Sequence, residues 1–402
     1  MSGYLKMLQK DPWLLPDGIE EVLPEDAKSL ESLRRRLLDV FSCWGYELVI
    51  PPFIDYLDSL LTGSGRDLDL QTFKLTDQLS GAMLGIRSDM TPQVARIGAH
   101  NLKREWPTRL CYVGTILHTR GDHLEKSRSP MQIGAELYGH AGQESDLEII
   151  RLMLEMLAHS GVLNVHLDLG HVGIYRALSQ QAGLTEAQET ALFDVLQRKA
   201  ITELHELLAS FALSAQLTKM FLALPELNGG LPILAQAQQI LTHASAEVKQ
   251  ALADLQAMAE QLSRLFPALP ISFDLAELRG YHYHTGIVFA AFAPGVGREI
   301  ARGGRYDNIG AVFGRARPAT GFSADLKLLT VLGKNTITAE HTGLIFAPLG
   351  NELSLEDVIR DLRAQGQAVL QQLPGQVGNA QQLGCTAVLV KENQSWVVKP
   401  LV

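Results

Sequence analysis

The sequence predicts an α+β fold, in which an antiparallel sheet flanked by helices is followed by a small α/β domain. Short apolar runs separated by turns between residues 72 and 142 indicate antiparallel strands. Residues 176–266 are rich in Ala, Leu and Gln, which indicates an all-α insertion. Strand and helix patterns alternate over residues 343–402. We therefore expect a core domain at 1–333, with the insertion inside it, and a C-terminal domain at 343–402.

The composition supports a packed protein and excludes several classes. The chain has 402 residues, of which 46% are hydrophobic and 20% are charged, a balance that excludes disorder as the main state. No run of about 18 uncharged apolar residues indicates a membrane span. Lys+Arg number 35 and Asp+Glu 44, so the net charge of −9 gives no electrostatic reason to wrap a polyanion.

The cysteines and the N-terminus bear on localisation. Cys43, Cys111 and Cys385 lie far apart and form no CxxC pair, so neither a disulfide framework nor a zinc site is indicated. The first eleven residues carry two lysines but no apolar segment of the kind found in secretory signals. We expect a cytoplasmic protein with reduced thiols, without a metal or cofactor and without membrane association.

The predicted elements of the first half begin with an amphipathic helix. Leu30, Leu33 and Leu37 recur at helical spacing within residues 25–47, and Gly45 stops the helix before a strand at 46–50. We expect the strands between residues 72 and 142 to share one antiparallel sheet. The further predicted elements are strands at 73–75, 83–86, 109–113, 131–138 and 165–169, and helices at 92–99 and 146–160.

The second half is predicted to return to strands after the helical insertion, and a polar stretch at 334–342 reads as a linker. In the core domain we expect strands at 271–275, 286–292 and 298–302 and a helix at 323–332. In the C-terminal domain we expect strands at 344–347, 368–370, 387–390 and 395–398, and helices at 353–365 and 377–383.

Polar residues are dense in four otherwise apolar stretches. In one of them Gln132, Gly134 and Glu136 share a strand face by the period-two rule, and the glycine is expected to leave room for a ligand to lie on the sheet. Antiparallel sheets often have a polar outer face, but four such stretches in one domain favour a binding site. The four stretches are 87–92, 132–136, 279–286 and 303–307.

Residues 9–333 resemble the catalytic core of histidyl-tRNA synthetase, a class II aminoacyl-tRNA synthetase. Residues 45–51 resemble class II motif 1, the dimer-forming helix and strand, and 112–136 resemble motif 2. Gly303-Gly304-Arg305-Tyr306-Asp307 with Gly321-Phe322 resembles the approach to motif 3. The stretch from Arg279 to Gly286 resembles the histidine-specific signature, which is the most specific of these matches. The resemblance implies a class II synthetase-like fold.

The resemblance also implies a pocket for the amino-acid end of histidine. Asp89, Thr91 and Gln132 fall where the family holds the α-amino group. A carboxylate and two neutral acceptors suit an ammonium group. Arg279 falls where a guanidinium faces the carboxyl group of histidine.

Three more positions match the part of the pocket that reads the imidazole. Glu136 falls where the family accepts the proton of ring nitrogen Nδ1. His284 replaces the tyrosine that reads the other ring nitrogen, and Tyr283 is retained before it. The histidine-binding residues implied by the resemblance therefore comprise these three and the four at the amino-acid end.

The nucleotide positions depart from the synthetase pattern. His118 stands where motif 2 carries an arginine that grips the α-phosphate of ATP, and Arg120 stands where a glutamate follows it. Motif 3 ends in Gly-Leu-Glu-Arg, whereas residues 325–328 read Asp-Leu-Lys-Leu, so that Leu328 replaces the second arginine. Adenylation needs positive charge against the developing phosphate charge. We therefore expect no aminoacylation.

A synthetase-like chain that binds histidine without adenylating it resembles the regulatory subunits of ATP phosphoribosyltransferase. The resemblance implies a non-enzymatic regulator that activates a short-form catalytic subunit in the first step of histidine biosynthesis. L-histidine is the implied inhibitory effector, acting on a homodimer within a larger hetero-oligomer. No tRNA is expected as a partner.

Two alternatives are enzymes: an active histidyl-tRNA synthetase with unusual phosphate ligands, and an aminoacyl ligase for another substrate. Both need the two arginines that His118 and Leu328 replace. A third alternative is an RNA-binding module. The acidic net charge disfavours it, and no stacking platform with interleaved basic residues is evident.

Overall fold

The computed structural model describes residues 13–61, 66–121, 127–278, 280–281, 283–334 and 343–401. The chain divides into two compact units, Met1–Ile337 and Thr338–Val402. Strands in chain order are β1 (Glu47–Leu48), β2 (Ile54–Tyr56), β3 (Phe73–Thr76), β4 (Met83–Ile86), β5 (Thr108–Thr115), β6 (Met131–Tyr138), β7 (His166–His171), β8 (Asn228–Gly229), β9 (Ile271–Asp274), β10 (Ile287–Phe292), β11 (Ala301–Arg305), β12 (Ala319–Asp325), β13 (Ile345–Ala347), β14 (Val369–Gln371), β15 (Ala387–Glu392) and β16 (Ser395–Pro400).

The α-helices are α1 (Pro24–Cys43), α2 (Leu57–Leu61), α3 (Arg66–Gln71), α4 (Thr91–Arg96), α5 (Gln143–His159), α6 (Val172–Gln181), α7 (Glu186–Gln197), α8 (Ile201–Ser210), α9 (Ala215–Ala223), α10 (Pro232–Ile240), α11 (Ala246–Leu265), α12 (Leu326–Gly333) and α13 (Leu353–Ala364). Short 3-10 turns lie at Leu224–Glu226 and Ile309–Phe313. The regular elements of the segment predicted as an all-α insertion are helices joined by turns, apart from the two residues of β8. Among the described residues, no helix is long and apolar enough to cross a membrane.

A nine-stranded sheet forms the centre of the first unit, in the order β1-β5-β6-β12-β11-β10-β7-β9-β8. Along this order, each pair of neighbouring strands from β5 to β7 is antiparallel. The large hydrophobic core covers one face and includes residues of α1, α5 and α11. A smaller cluster on the other face includes Met90, Tyr112, Tyr138 and Tyr306. The α+β arrangement predicted from the sequence, an antiparallel sheet flanked by helices, is confirmed.

Helix α1 shows how the sequence pattern specifies its own packing. Leu33 and Leu37 lie on its buried stripe and are 3% and 0% exposed. The helix ends at Cys43, and Gly45 follows with φ +77°, a left-handed conformation that glycine adopts without strain. The predicted amphipathic helix and its stop at this glycine are confirmed.

Strand β12 is the main element that the sequence prediction missed. The expected helix at 323–332 is wrong over its first residues, which belong to this strand, and α12 begins only at Leu326. The strand lies between β6 and β11, where its pairing on both sides determines its conformation. Asp325 ends it and caps α12, because its Oδ1 accepts a hydrogen bond from Lys327 N at 3.1 Å.

Other boundaries also differ from the prediction. Strands β3 and β4 do not join the central sheet; with β2 they form a separate three-stranded sheet in the order β2-β4-β3. This small sheet packs on α2, since a Cβ on Gly85 would meet the side chains of Leu60 and Leu57. The helix expected at 92–99 is α4, which continues as a π-helical turn over Ile97–Leu102. The strand expected at 298–302 is β11, shifted by three residues.

The second unit has its own four-stranded sheet, in the order β14-β13-β15-β16. Its core joins Ile345, Leu355 and Leu389. The helix expected at 377–383 is wrong, because this stretch forms turns. Gly378 (φ +106°) supplies a left-handed backbone conformation that interrupts a helix.

Candidate functional site

The candidate site lies on the sheet face opposite the large core. Gln132 and Glu136 of β6 point to this face, and Gly321 of β12 is the cross-strand neighbour of Glu136. The carboxylate of Glu136 lies over Gly321, in space that a Cβ there would occupy. On the next strand the ring of His284 lies over Gly304, with Cδ2 2.8 Å from where a Cβ would be. Two adjacent glycines thus let these two side chains lie side by side on the sheet.

The Glu136 carboxylate is buried between two tyrosine hydroxyls. Tyr112 Oη donates to Oε1 at 2.9 Å, and Tyr306 Oη donates to Oε2. The side chain of Glu136 is 1% exposed, and no salt bridge reaches it among the described residues. Burial, with a smaller contribution from Asp89, raises the pKa of Glu136 to about 8, although the two tyrosines stabilise its charged form.

Tyr112 also corrects the expectation that Gly134 leaves room for a ligand. A Cβ on Gly134 would lie 2.5 Å from Tyr112 Oη and 2.5 Å from the Phe322 carbonyl oxygen. Tyr112 is the cross-strand partner of Gly134, so its side chain fills the space above the glycine. The glycine therefore accommodates a tyrosine of the protein itself.

The residues predicted for the amino-acid end lie together beside this carboxylate. Asp89 Oδ1 accepts hydrogen bonds from Gln132 Nε2 at 2.8 Å and from Thr91 N at 3.0 Å. Thr91 Oγ1 lies 3.1 Å from Tyr112 Oη, which links this group to Glu136. Asp89 Oδ2 accepts no hydrogen bond from the residues that the structure describes. It is therefore the carboxylate oxygen best placed to receive an ammonium group.

The signature stretch borders the same cluster. Tyr283 stacks on Tyr306 with ring centroids 4.8 Å apart and an interplanar angle of 25°, and it meets the His284 ring edge-on at 5.3 Å. Arg279, predicted from the resemblance to face the carboxyl group, lies outside the described residues. The structure thus brings together the other six predicted histidine-binding residues.

Tyr112 and Tyr306 are absent from the residues predicted to bind a ligand. The sequence contains a pattern that could have indicated both. Tyr306 lies two residues after Gly304, and Tyr112 lies two residues before Gly114. Residues two apart on a strand point to the same face. What the pattern cannot give is the long-range pairing that puts both hydroxyls on Glu136.

The two charged residues that flank Tyr306 have a structural role. Arg305 is buried, and its guanidinium bonds Asp146 Oδ2 at 3.0 Å and Ser145 Oγ at 2.8 Å. Asp307 Oδ2 accepts a hydrogen bond from Thr285 Oγ1 at 3.1 Å. These contacts fix the segment after β11 and so place the Tyr306 hydroxyl on the carboxylate.

The positions that match the synthetase ATP site are occupied differently. His118 is half-buried rather than a surface side chain, and its Nε2 lies 3.0 Å from Ser88 O. Burial lowers the pKa of His118, so the neutral ring donates this hydrogen bond. Arg120 is exposed, and Leu328 packs partly buried against the large core. Lys327 Nζ donates to Ser129 O at 2.7 Å.

Two family models match this chain, one over each of two successive segments. Residues 18–329 match the family model for histidyl-tRNA synthetase, and residues 342–399 match the model for the ATP phosphoribosyltransferase subunit HisZ C-terminal domain. A structure of histidyl-tRNA synthetase from Nostoc covers 96% of this chain and 94% of its own at TM-score 0.73 and 16% identity, which shows the fold. The first unit therefore has the fold of the class II histidyl-tRNA synthetases.

Full-length relatives define the family more narrowly. The ATP phosphoribosyltransferase regulatory subunits of Alkalilimnicola ehrlichii and Methylococcus capsulatus are 56% and 57% identical to this chain, with 97% of each chain covered. A structure from Bacillus halodurans, described as an ATP phosphoribosyltransferase regulatory subunit/histidyl-tRNA synthetase, covers 93% of this chain and 96% of its own at TM-score 0.81 and 28% identity. The chain belongs to the ATP phosphoribosyltransferase regulatory subunit family. This membership confirms the regulatory-subunit interpretation over an active synthetase.

The buried carboxylate predicts a pH dependence of stability. Because the pKa of Glu136 rises from 4.5 to about 8 on folding, the folded state binds more protons than the unfolded state between these values. The free energy of unfolding should therefore decrease as pH rises through this window. Glu136→Gln, which cannot ionise, should lose this decrease, measured by urea denaturation at pH 5 to 9.

Glu148→Gln is the matched control. Arg109 and Tyr46 hold the pKa of Glu148 below its usual value despite partial burial, so its contribution to stability changes only at more acidic pH. This variant should keep the decrease between pH 5 and 8. Equal pH dependence in the unsubstituted chain and in Glu136→Gln would show that Glu136 is ionised throughout.

Proposed function

We propose that this chain is a non-catalytic regulatory subunit that binds L-histidine at the Glu136 site and transmits its presence to a short-form ATP phosphoribosyltransferase catalytic subunit. The naming of its relatives supports a regulatory, non-catalytic role and a catalytic partner. The observation that carries the histidine assignment is the pairing of a buried carboxylate, Glu136, with the Asp89–Thr91–Gln132 group.

The chemistry of this site suits histidine. Asp89 and Gln132 offer oxygen acceptors to an α-ammonium group, and Glu136 offers a desolvated acceptor to a ring N–H. Arg279 would face the ligand carboxylate, as the resemblance implies. Each polar group of histidine then has a partner, which is the condition for selective binding in a buried site.

The same geometry supports a chain that does not adenylate histidine. In place of the motif 2 arginine, the neutral ring of His118 bonds to the Ser88 carbonyl. In place of the motif 3 arginine, Leu328 packs against the large core. Neither side chain offers the bidentate, permanently charged contact that guanidinium gives to phosphate.

We further propose a homodimer formed through α1 and β1, held with the catalytic subunit in a larger hetero-oligomer without tRNA. Exposed Leu48 and Ile50 lie at the edge of the central sheet, where class II motif 1 makes its dimer. Histidine would act through a coupling free energy of about 1–3 kcal/mol between its pocket and the partner's catalytic site.

The direct test is reconstitution with a short-form catalytic subunit. The chain should raise the partner's ATP phosphoribosyltransferase turnover, and L-histidine should inhibit only the mixture. Glu136→Ala should still activate, but about tenfold or more histidine should be needed for inhibition, because the ring N–H of the bound ligand loses its buried hydrogen-bond acceptor. Glu206→Ala, an exposed site on α8, is the matched control and should behave as the unsubstituted chain. Unchanged partner activity, with or without histidine, would contradict the proposal.

A second test addresses catalysis. The purified chain should show no histidine-dependent ATP–pyrophosphate exchange, with a histidyl-tRNA synthetase as the positive control. The double substitution His118→Arg with Leu328→Arg should not restore exchange, because Arg120 and Lys327 occupy the carboxylate positions that accompany the synthetase arginines. Exchange above background by the unsubstituted chain would establish an adenylating enzyme instead.

A further inference from the structure

Tyr281 connects the signature stretch to the helical insertion. Its side chain is buried, and its ring lies 5.1 Å from the ring of Tyr175 on α6 and 5.5 Å from that of Phe193 on α7, measured between centroids. Its hydroxyl donates a hydrogen bond to Glu189 Oε1 of α7. Tyr175 Oη donates to the carbonyl oxygen of the same Glu189 at 2.6 Å. A residue of the signature stretch is thus part of the packing between α6 and α7.

The turn that contains Tyr281 is held by hydrogen bonds within itself and from α6. The Gly280 carbonyl oxygen accepts from Tyr283 N at 2.8 Å and from His284 N at 2.7 Å. Arg176 Nη2 of α6 donates to the carbonyl oxygens of Tyr281 and His284, both at 3.0 Å. The Arg176 guanidinium also lies 5.0 Å from the centroid of the Tyr281 ring. These contacts join the two ends of the turn to each other and to the helix.

The far end of this turn forms a wall of the candidate site. Tyr283 stacks on Tyr306, whose hydroxyl donates to Glu136. The ring of His284 lies over Gly304, with Nε2 3.0 Å from where a Cβ would be. A ligand held at Glu136 therefore borders one end of a turn whose other end is packed against α7.

We propose that Tyr281 is a positioning residue that couples histidine binding to the helical insertion through the hydrogen bond between its hydroxyl and Glu189. The inference rests on the proposed histidine site and extends it to the regulation of that site. Contacts that a ligand makes with the turn stabilise the position of Tyr281 and, through it, α7. The coupling is reciprocal, because a change in α7 that favours this position also favours the bound state.

Hydrogen exchange measured by mass spectrometry tests this connection. In the unsubstituted chain, saturating L-histidine should slow amide exchange over α7 by about fivefold or more. Tyr281→Phe retains the ring and removes the hydroxyl, so it should lose this slowing. Its affinity for histidine, measured by calorimetry, should stay within about threefold of that of the unsubstituted chain, because the hydroxyl bonds to α7 and not to the site.

Three further variants separate the connection from general damage to the helices. Tyr175→Phe is the matched control, because it removes another hydroxyl that bonds to Glu189 and leaves the signature stretch connected. It should keep the slowing of exchange. Glu189→Gln retains an oxygen acceptor for the Tyr281 hydroxyl and should keep it as well, whereas Glu189→Ala should lose it.

The outcomes that contradict the proposal are distinct. Equal slowing over α7 in Tyr281→Phe and in the unsubstituted chain would overturn it, as would exchange that bound histidine leaves unchanged. Loss of the slowing in Tyr175→Phe as well would show a general loosening of α6 and α7 and would also overturn it. If Tyr281→Phe does not fold, the contrast between Glu189→Ala and Glu189→Gln decides. Absence of histidine binding by the unsubstituted chain would instead overturn the proposed function and this inference with it.

Discussion

The organisation of the site depends on one buried carboxylate that, among the described residues, is held by hydroxyl groups and by no cation. Glu136 accepts hydrogen bonds from Tyr112 and Tyr306, and no salt bridge reaches it within the described part of the chain. A buried charge is costly, so burial favours the protonated carboxyl and raises the pKa of Glu136 to about 8. The tyrosines and the absence of a side chain on Gly321 make its position possible.

The polar residues around Glu136 have two different roles: some fix the backbone, and others line the candidate site. Arg305 and Asp307 fix the backbone around Tyr306, and their charged groups bond to other residues of the protein. Asp89 keeps one carboxylate oxygen without a described hydrogen-bond donor. His118, which follows β5, bonds to the carbonyl of Ser88 beside Asp89. The same fold that supports adenylation in synthetases can in this way support recognition alone, which is the basis of the proposed regulatory role.

The sequence predicts local features well and long-range pairing poorly. The buried stripe of α1 and its stop at Gly45 follow from spacing and from glycine's conformational freedom. Strand β12 is missed because pairing with β6 and β11, rather than local pattern, gives it its conformation. The roles of Tyr112 and Tyr306 at Glu136 are missed for the same reason. The placement of Gln132 beside Asp89 was expected only through resemblance to a known family.

The central claim is that Glu136 recognises histidine in a site that needs no nucleotide. Calorimetric titration of L-histidine into the chain without ATP tests it most directly. The account predicts saturable binding near pH 8.5, where Glu136 is ionised, and Glu136→Gln should weaken this binding about tenfold or more, since the amide lacks the charge that strengthens the hydrogen bond. Binding that is absent until ATP is added, or that is equally tight in Glu136→Gln, would contradict it.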